Sequence, residues 1–277
     1  TNNSNKNIHG KLQMKKFLVI GDPIEHSLSP KLHNYWFKQN NVDAVYEKKK
    51  VNELELKDII SQVRKNEIYG VNVTVPYKSK IIKYLDLLSD DASATQSVNT
   101  ILKKENKICG FNTDVDGFEL SLLNYIDKIR NKTVLILGAG GVAPSIIYVL
   151  KKIKASKILI TNRTKIKSEN LKTKFSDIDV VDWGETPAAD VVINVTSLGL
   201  NPNDKIDLDY KKIGKDKFFY DVIYKPSKTL FLDEAKKRGN MIENGKMMFA
   251  YQAQKAFELW NNLKPEINEQ VLNLLDD

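Results

Sequence analysis

The chain is poor in cysteine: among 277 residues only Cys109 is present. No disulfide can form within it, and a cysteine-based metal site is not expected. That usage suits the cytoplasm, the expected compartment. Histidines are also few, His9, His26 and His33, and they lack the spacing of a zinc site, so no metal is expected. Long apolar runs are missing too. A bilayer span needs ~20 such residues, and the longest run, around Val191–Val195, is strand-sized; no membrane partner is expected. The opening Thr1-Asn2-Asn3-Ser4-Asn5 has no apolar core and does not read as a secretory signal. Residues 1–13 read as a disordered tail or an expression remnant ahead of Met14. There is no internal repeat and no low-complexity linker.

What is present describes a globular protein. Hydrophobic residues make up 42% and charged residues 28%, and the length allows two domains with separate cores. The net charge of +8 suits either a nucleic-acid binder or an enzyme for small anions. The basic residues are spread along the chain, and the densest run, Lys48-Lys49-Lys50, is not interleaved with aromatics. With no nucleic-acid motif in sight, no nucleic-acid partner is expected.

Strand and helix patterns alternate. Phe17–Ile20 reads as a buried strand closed by Gly21-Asp22-Pro23, and Ser29-Pro30 opens a helix reaching about Lys38. Strands are expected at 45–47 and 70–75, a helix at 54–63, and another at 78–88 on the spacing of Ile81, Ile82, Leu85 and Leu88. That last helix would carry Lys78 in its first turn. Residues 99–102 and 107–111 suggest a hairpin, and 117–125 a helix. The pattern restarts at Thr133–Leu137, with strands at 157–161, 180–182, 190–194 and 218–222 and a helix at 146–153. From Met247 a helical stripe of Phe249, Ala253, Ala256, Phe257 and Trp260 closes the chain. The fold class is therefore α/β with two βα domains. One is an N-terminal, mostly parallel open-sheet substrate domain, 14–113 plus 247–277. The other is a Rossmann-like nucleotide-binding domain, 114–246, with the C-terminal helices packing back on the first.

Leu135-Ile136-Leu137 runs into Gly138-Ala139-Gly140-Gly141 and then into a helix. Glycines there let the backbone approach a pyrophosphate, and the helix N-terminus faces its charge. A tight turn without a ligand would look the same, but strand, turn and helix follow in the order a dinucleotide site requires. The next strand ends in Asn162-Arg163-Thr164-Lys165-Ile166-Lys167, where an NAD enzyme usually places an acid. A carboxylate would repel a 2′-phosphate, whereas arginine can grip one through two hydrogen bonds and Thr164 can donate another. The expected cofactor is NADP.

The first half carries polar residues at strand ends. Ser27 and Ser29 stand at a helix entrance, where they can cap the helix or bind a carboxylate. Thr74 and Lys78 follow a parallel strand, the place where open α/β sheets bind ligands. Asn99 and Asn112-Thr113-Asp114 could add polar groups, though such residues are also common in turns.

Taken together, the segments 26–34, 72–78, 97–100, 110–114, 138–141, 162–164, 194–199, 221–226 and 251–253 resemble the shikimate dehydrogenase family. The resemblance covers everything but the N-terminal tail. It implies reversible reduction of 3-dehydroshikimate to shikimate with NADPH, in aromatic amino-acid biosynthesis. It implies a carboxylate site of Ser27, Ser29 and Tyr224, and contacts to ring hydroxyls from Thr74, Asn99, Asp114 and Gln252. Lys78 and Asp114 would be the catalytic pair. Gly138, Ala139, Gly140, Gly141, Asn162, Arg163, Thr164 and Lys167 would hold NADP, and Gly245 would border the nicotinamide. Two positions depart from the family pattern. Met247 stands where a second glycine is usual, which leaves open how the backbone runs beside the nicotinamide. Lys167 replaces a common arginine, keeping the charge without the two-pronged geometry.

The nearest alternative is a quinate/shikimate dehydrogenase using NAD as well as NADP; the 162–167 segment, without an acid, argues against it. A non-catalytic nucleotide sensor would not need both Lys78 and Asp114. Another two-domain dehydrogenase, such as a folate-cycle enzyme, would not need Ser27, Ser29 and Asp114 for a carboxylated polyhydroxy ring. A monomer or a homodimer is expected.

Overall fold

A computed structural model describes residues 13–276; the tail expected over residues 1–13 lies, apart from Gln13, outside them. Twelve strands form two six-stranded sheets among the described residues. The first holds β1 (Lys15–Gly21), β2 (Ala44–Lys50), β3 (Gly70–Val73), β4 (Leu87–Leu88), β5 (Thr100–Lys104) and β6 (Lys107–Phe111), in the order β2-β1-β3-β5-β6-β4. Only β5 runs against the rest: it pairs antiparallel with β3 and with β6, and every other neighbouring pair is parallel. The second sheet holds β7 (Thr133–Leu137), β8 (Lys157–Thr161), β9 (Asp179–Val180), β10 (Val191–Asn194), β11 (Phe218–Asp221) and β12 (Met241–Glu243). It is wholly parallel, in the order β12-β11-β10-β7-β8-β9.

The helices are α1 (Ser29–Gln39), α2 (Leu56–Arg64), α3 (Asp90–Thr95), α4 (Thr113–Ser121), α5 (Ile126–Ile129), α6 (Ala143–Ile153), α7 (Lys165–Lys174), α8 (Tyr210–Ile213), α9 (Leu230–Lys237), α10 (Lys246–Asn261) and α11 (Glu269–Leu274). Successive strand residues point to opposite faces, so each sheet builds two cores. Leu18 and Ile20 face one beneath α2, while Phe17 and Val19 face another shared with α1 and α10. In the second sheet Val134 and Ile136 pack under α4 and α6, and Leu135 and Leu137 under α9. Helix α10 returns the chain to the first sheet. Trp260 lies 5.1 Å from Phe17 between ring centroids and donates its indole N–H to the Ile101 carbonyl at 3.1 Å. Among the described residues no helix is long and apolar enough to cross a membrane, and no cluster of side chains is placed to hold a metal.

Three expectations are corrected. Residues 78–88 are not one α-helix: Lys78 sits in a turn, Lys80–Tyr84 form a short 3-10 helix, and Leu87–Leu88 become β4. The apolar spacing was helical, but the open edge of β6 captures Leu87 and Leu88, and Asp86 is held between Arg64 and the Ile108 amide. Helix α4 starts at Thr113 rather than 117, which puts Asp114 and Asp116 in its first turn, where the helix dipole favours acids. Strand β12 and helices α3, α7, α9 and α11 carried too weak a pattern to be expected; α7, for one, buries only Ser168 and Leu171.

Candidate active site

The C-terminal ends of β1, β3 and β11 and the N-termini of α1 and α4 face one cavity of about 390 Å³, walled on its far side by α10. Ser27, Ser29, Thr74, Lys78, Asn99, Asp114, Tyr224 and Gln252 all line it. They arrive from six separate stretches of the chain, so the sheet and its loops do the assembling.

At one end is the start of α1. Its N-terminus has no side-chain cap and no acid in its first turn, and Pro30 occupies an early position. The Ser27 hydroxyl instead accepts the Ser29 N–H at 3.3 Å, bracing the loop. Uncapped N–H groups and two hydroxyls make a place for an anion. Tyr224 reaches the same cavity with its ring 4.9 Å from that of Phe249. Burial pushes its phenol above the ordinary range, so it stays a neutral donor.

At the other end Lys78 and Asp114 form an ion pair, Nζ to Oδ2 at 2.7 Å, with side chains only 14% and 11% exposed. The turn that carries Lys78 is fixed on both sides: the Val98 amide donates to its carbonyl at 2.8 Å, and the Tyr77 hydroxyl donates to the Val51 carbonyl at 2.8 Å. Asn99 is 4% exposed. Its Nδ2 donates to Thr113 Oγ1 at 2.9 Å, and its Oδ1 accepts the Thr113 amide at 2.7 Å. The residue expected to meet a ring hydroxyl thus also ties β5 to the start of α4, leaving one amide hydrogen for a ligand.

The second site borders the first. Gly138 takes φ +108°, a conformation glycine supplies without strain, with Thr196 packed against it. The turn is locked to the next strand: the Ala139 amide donates to Asn162 Oδ1 at 3.0 Å, and Asn162 Nδ2 donates to the Thr164 carbonyl at 2.9 Å. Asn162 therefore shapes the site from within. A cavity of about 210 Å³ is lined by Gly138, Ala139, Gly140, Asn162, Arg163, Thr164, Lys167 and Trp183, with 195–198 opposite. A neighbouring cavity of about 540 Å³ takes in Ala139, Gly140, Gly141 and Lys167 and reaches Lys78. The substrate cavity and this one thus share Lys78 as a common wall, and Gly245 lines the first beside Met248 and Phe249.

These residues fit a dinucleotide with a 2′-phosphate. A Cβ on Gly140 would point into open space, and α6 begins without an acid or a side-chain cap. Among the described residues Arg163 makes no ion pair, and Thr164 precedes α7 with its hydroxyl uncommitted. No carboxylate lines the cavity. A Cβ on Gly245 would overlap the Val222 carbonyl oxygen, so only glycine lets these two segments meet. Met247, by contrast, lies in the first turn of α10, an ordinary helical position.

Sequence reasoning missed Trp183, His26 and Phe249 as lining residues. Trp183 follows β9 at the C-terminal side of the second sheet, and that position was the only available signal.

Comparison with known proteins agrees with this geometry. A family model described as the shikimate dehydrogenase substrate binding domain matches residues 19–101, and one described as shikimate / quinate 5-dehydrogenase matches residues 122–200. A shikimate dehydrogenase (NADP(+)) from Pelagibacter ubique is 55% identical over 262 residues, covering 95% of this chain and 99% of its own length. A crystal structure of a shikimate dehydrogenase in complex with NADP+ superposes with TM-score 0.87 at 34% identity, over 95% of this chain and 94% of that one. The Thermus thermophilus shikimate 5-dehydrogenase in complex with NADP(H) and shikimate gives TM-score 0.82 at 30% identity, over 95% and 97% of the two chains.

Proposed function

This chain belongs to the shikimate dehydrogenase family, and on that premise we propose that it is an NADP-dependent shikimate dehydrogenase, reversibly reducing 3-dehydroshikimate to shikimate. The observation that carries the reading is the buried Lys78–Asp114 pair, which lines the polar, anion-accepting cavity while Lys78 also lines the glycine-turn cavity beside it.

NADP, when bound, supplies the hydride acceptor. The protein's part is binding, orientation and proton transfer. The start of α1 with Ser27 and Ser29, together with Tyr224, takes the ring carboxylate. Thr74, Asn99, Asp114 and Gln252 take ring hydroxyls. Lys78 Nζ, as the neutral amine, accepts the hydroxyl proton as the alcohol is oxidised and, as the resulting ammonium, returns it to the carbonyl oxygen in the biosynthetic direction, while Asp114 Oδ2 accepts a hydrogen bond from Nζ and holds it in place. Gly138 to Gly141 would receive the pyrophosphate, Arg163, Thr164 and Lys167 the 2′-phosphate, and Gly245 would border the nicotinamide.

The proposal includes the division of labour: 14–113 plus 247–277 form the substrate domain and 114–246 the cofactor domain, with Asp114 and Tyr224 reaching the substrate from the second. It includes a cytoplasmic location and a monomer or homodimer. Purified protein given shikimate and NADP should form reduced nicotinamide; a folded protein that does not turn over contradicts the assignment.

A further inference from the structure

Beneath the cavity runs a line of hydrogen bonds that the reading above does not use. Tyr46, on β2, is 1% exposed. Its hydroxyl donates to Asn72 Oδ1 at 2.6 Å. Asn72 Nδ2 donates to the Asn99 carbonyl and to Thr100 Oγ1, both at 3.0 Å. The Thr100 hydroxyl donates to Asn99 Oδ1 at 3.0 Å, and that oxygen also accepts the Thr113 amide. Thr113 is followed by Asp114. An unbroken set of buried hydrogen bonds therefore joins Tyr46 through Asn72 to Asn99 and the start of α4. Asn72 lines the cavity, yet its side chain has both amide hydrogens and its oxygen committed to protein.

The surroundings of Tyr46 fix its hydroxyl. His33 stacks on its ring at 4.5 Å with the planes 2° apart. Burial holds the His33 imidazole down to about 3, so it is neutral near pH 7 and places no charge there. The phenol can neither swing out nor ionise.

We propose that Tyr46 is a positioning residue for substrate recognition: its hydroxyl holds Asn72, and through it Asn99 and the start of α4, and so sets where the hydroxyl end of the cavity stands relative to the carboxylate end. A rigid six-membered ring presents its carboxylate and hydroxyls at fixed separations, and groups that bind both must be held within about 0.5 Å of the right geometry. The inference rests on the shikimate reading, and its test separates the two.

Tyr46→Phe keeps the ring and its stack on His33 and removes only the hydroxyl. The KM for shikimate should rise by roughly 5- to 10-fold, the loss of about one buried hydrogen bond. The kcat should stay within about twofold, because binding lost equally from ground and transition states appears in KM. The KM for NADP should not move. In an Asn72→Ala background the same change should add less than about twofold, since contacting residues couple. A lower melting temperature with the shikimate KM unchanged would make Tyr46 a core brace and overturn the inference. If Tyr46→Phe does not fold, Asn72→Ala breaks the same line; a raised shikimate KM with kcat kept supports the role, and an unchanged KM rejects it. A wild-type protein inactive on shikimate sinks the functional reading; an active one with an indifferent Tyr46→Phe sinks only this inference.

Discussion

At the hydroxyl end of the substrate cavity the key polar groups are buried and already bonded within the protein. On the cofactor side they are exposed and waiting. Asn99 spends most of its side chain on Thr113, and Lys78 is paired with Asp114. Arg163, Thr164 and Lys167 lie at the surface, and much of the remaining site is backbone from the glycine turn. The difference teaches what each ligand must supply. A small, rigid ring enters a site whose geometry is set beforehand by hydrogen bonds within the protein. A long, charged dinucleotide brings its own phosphates to cations and amides left without partners.

The contrast can be broken most sharply at Lys78. Lys78→Ala should lower kcat by about 10²- to 10⁴-fold, the usual share of a positioned proton-transfer group, with NADP affinity largely kept; calorimetric titration with NADP beside steady-state kinetics checks both halves. Unchanged turnover would remove the lysine from the mechanism. Next in size is Arg163→Ala. Losing charge-assisted hydrogen bonds of ~1.5–3 kcal/mol should raise the KM for NADP by roughly 10- to 100-fold and leave that for NAD and for shikimate nearly unchanged. Equal effects on NADP and NAD would show that Arg163 does not read the 2′-phosphate.

The smallest expected effect concerns stability. Burial, reinforced by the charge of Asp91 and opposed by Lys255, pushes the Asp116 carboxyl up to about 6. Since the folded pKa exceeds the unfolded one, the folded state binds the extra proton. The stabilisation is fully present below about 4 and is lost as pH rises to about 6. Asp116→Asn should therefore flatten the fall in melting temperature across that window by a few degrees. Parallel wild-type and variant curves would contradict the assignment.

Much of this was legible in the sequence, for physical reasons that differ between the halves. Thr133–Leu137 and Lys157–Thr161 announce buried parallel strands by composition, and the glycine turn between strand and helix by order alone. The eight substrate-side residues were legible as motifs, and the cavity gathers them. What stayed hidden depends on tertiary context. Residues 78–88 carry a helical pattern that the edge of β6 overrides. Asn162 looked like a ligand to the cofactor, yet its carboxamide is bonded to the turn. Trp183 joins the cofactor cavity only because β9 ends beside it. Tyr46 looked like one more strand aromatic, and its partner Asn72 is distant in sequence.

Initial rates with shikimate and with quinate, each with NADP and with NAD, test the account most directly. It predicts the highest kcat/KM for shikimate with NADP and a clear loss when NAD replaces it. A folded protein that prefers NAD, or that leaves shikimate unoxidised with both cofactors, would contradict it.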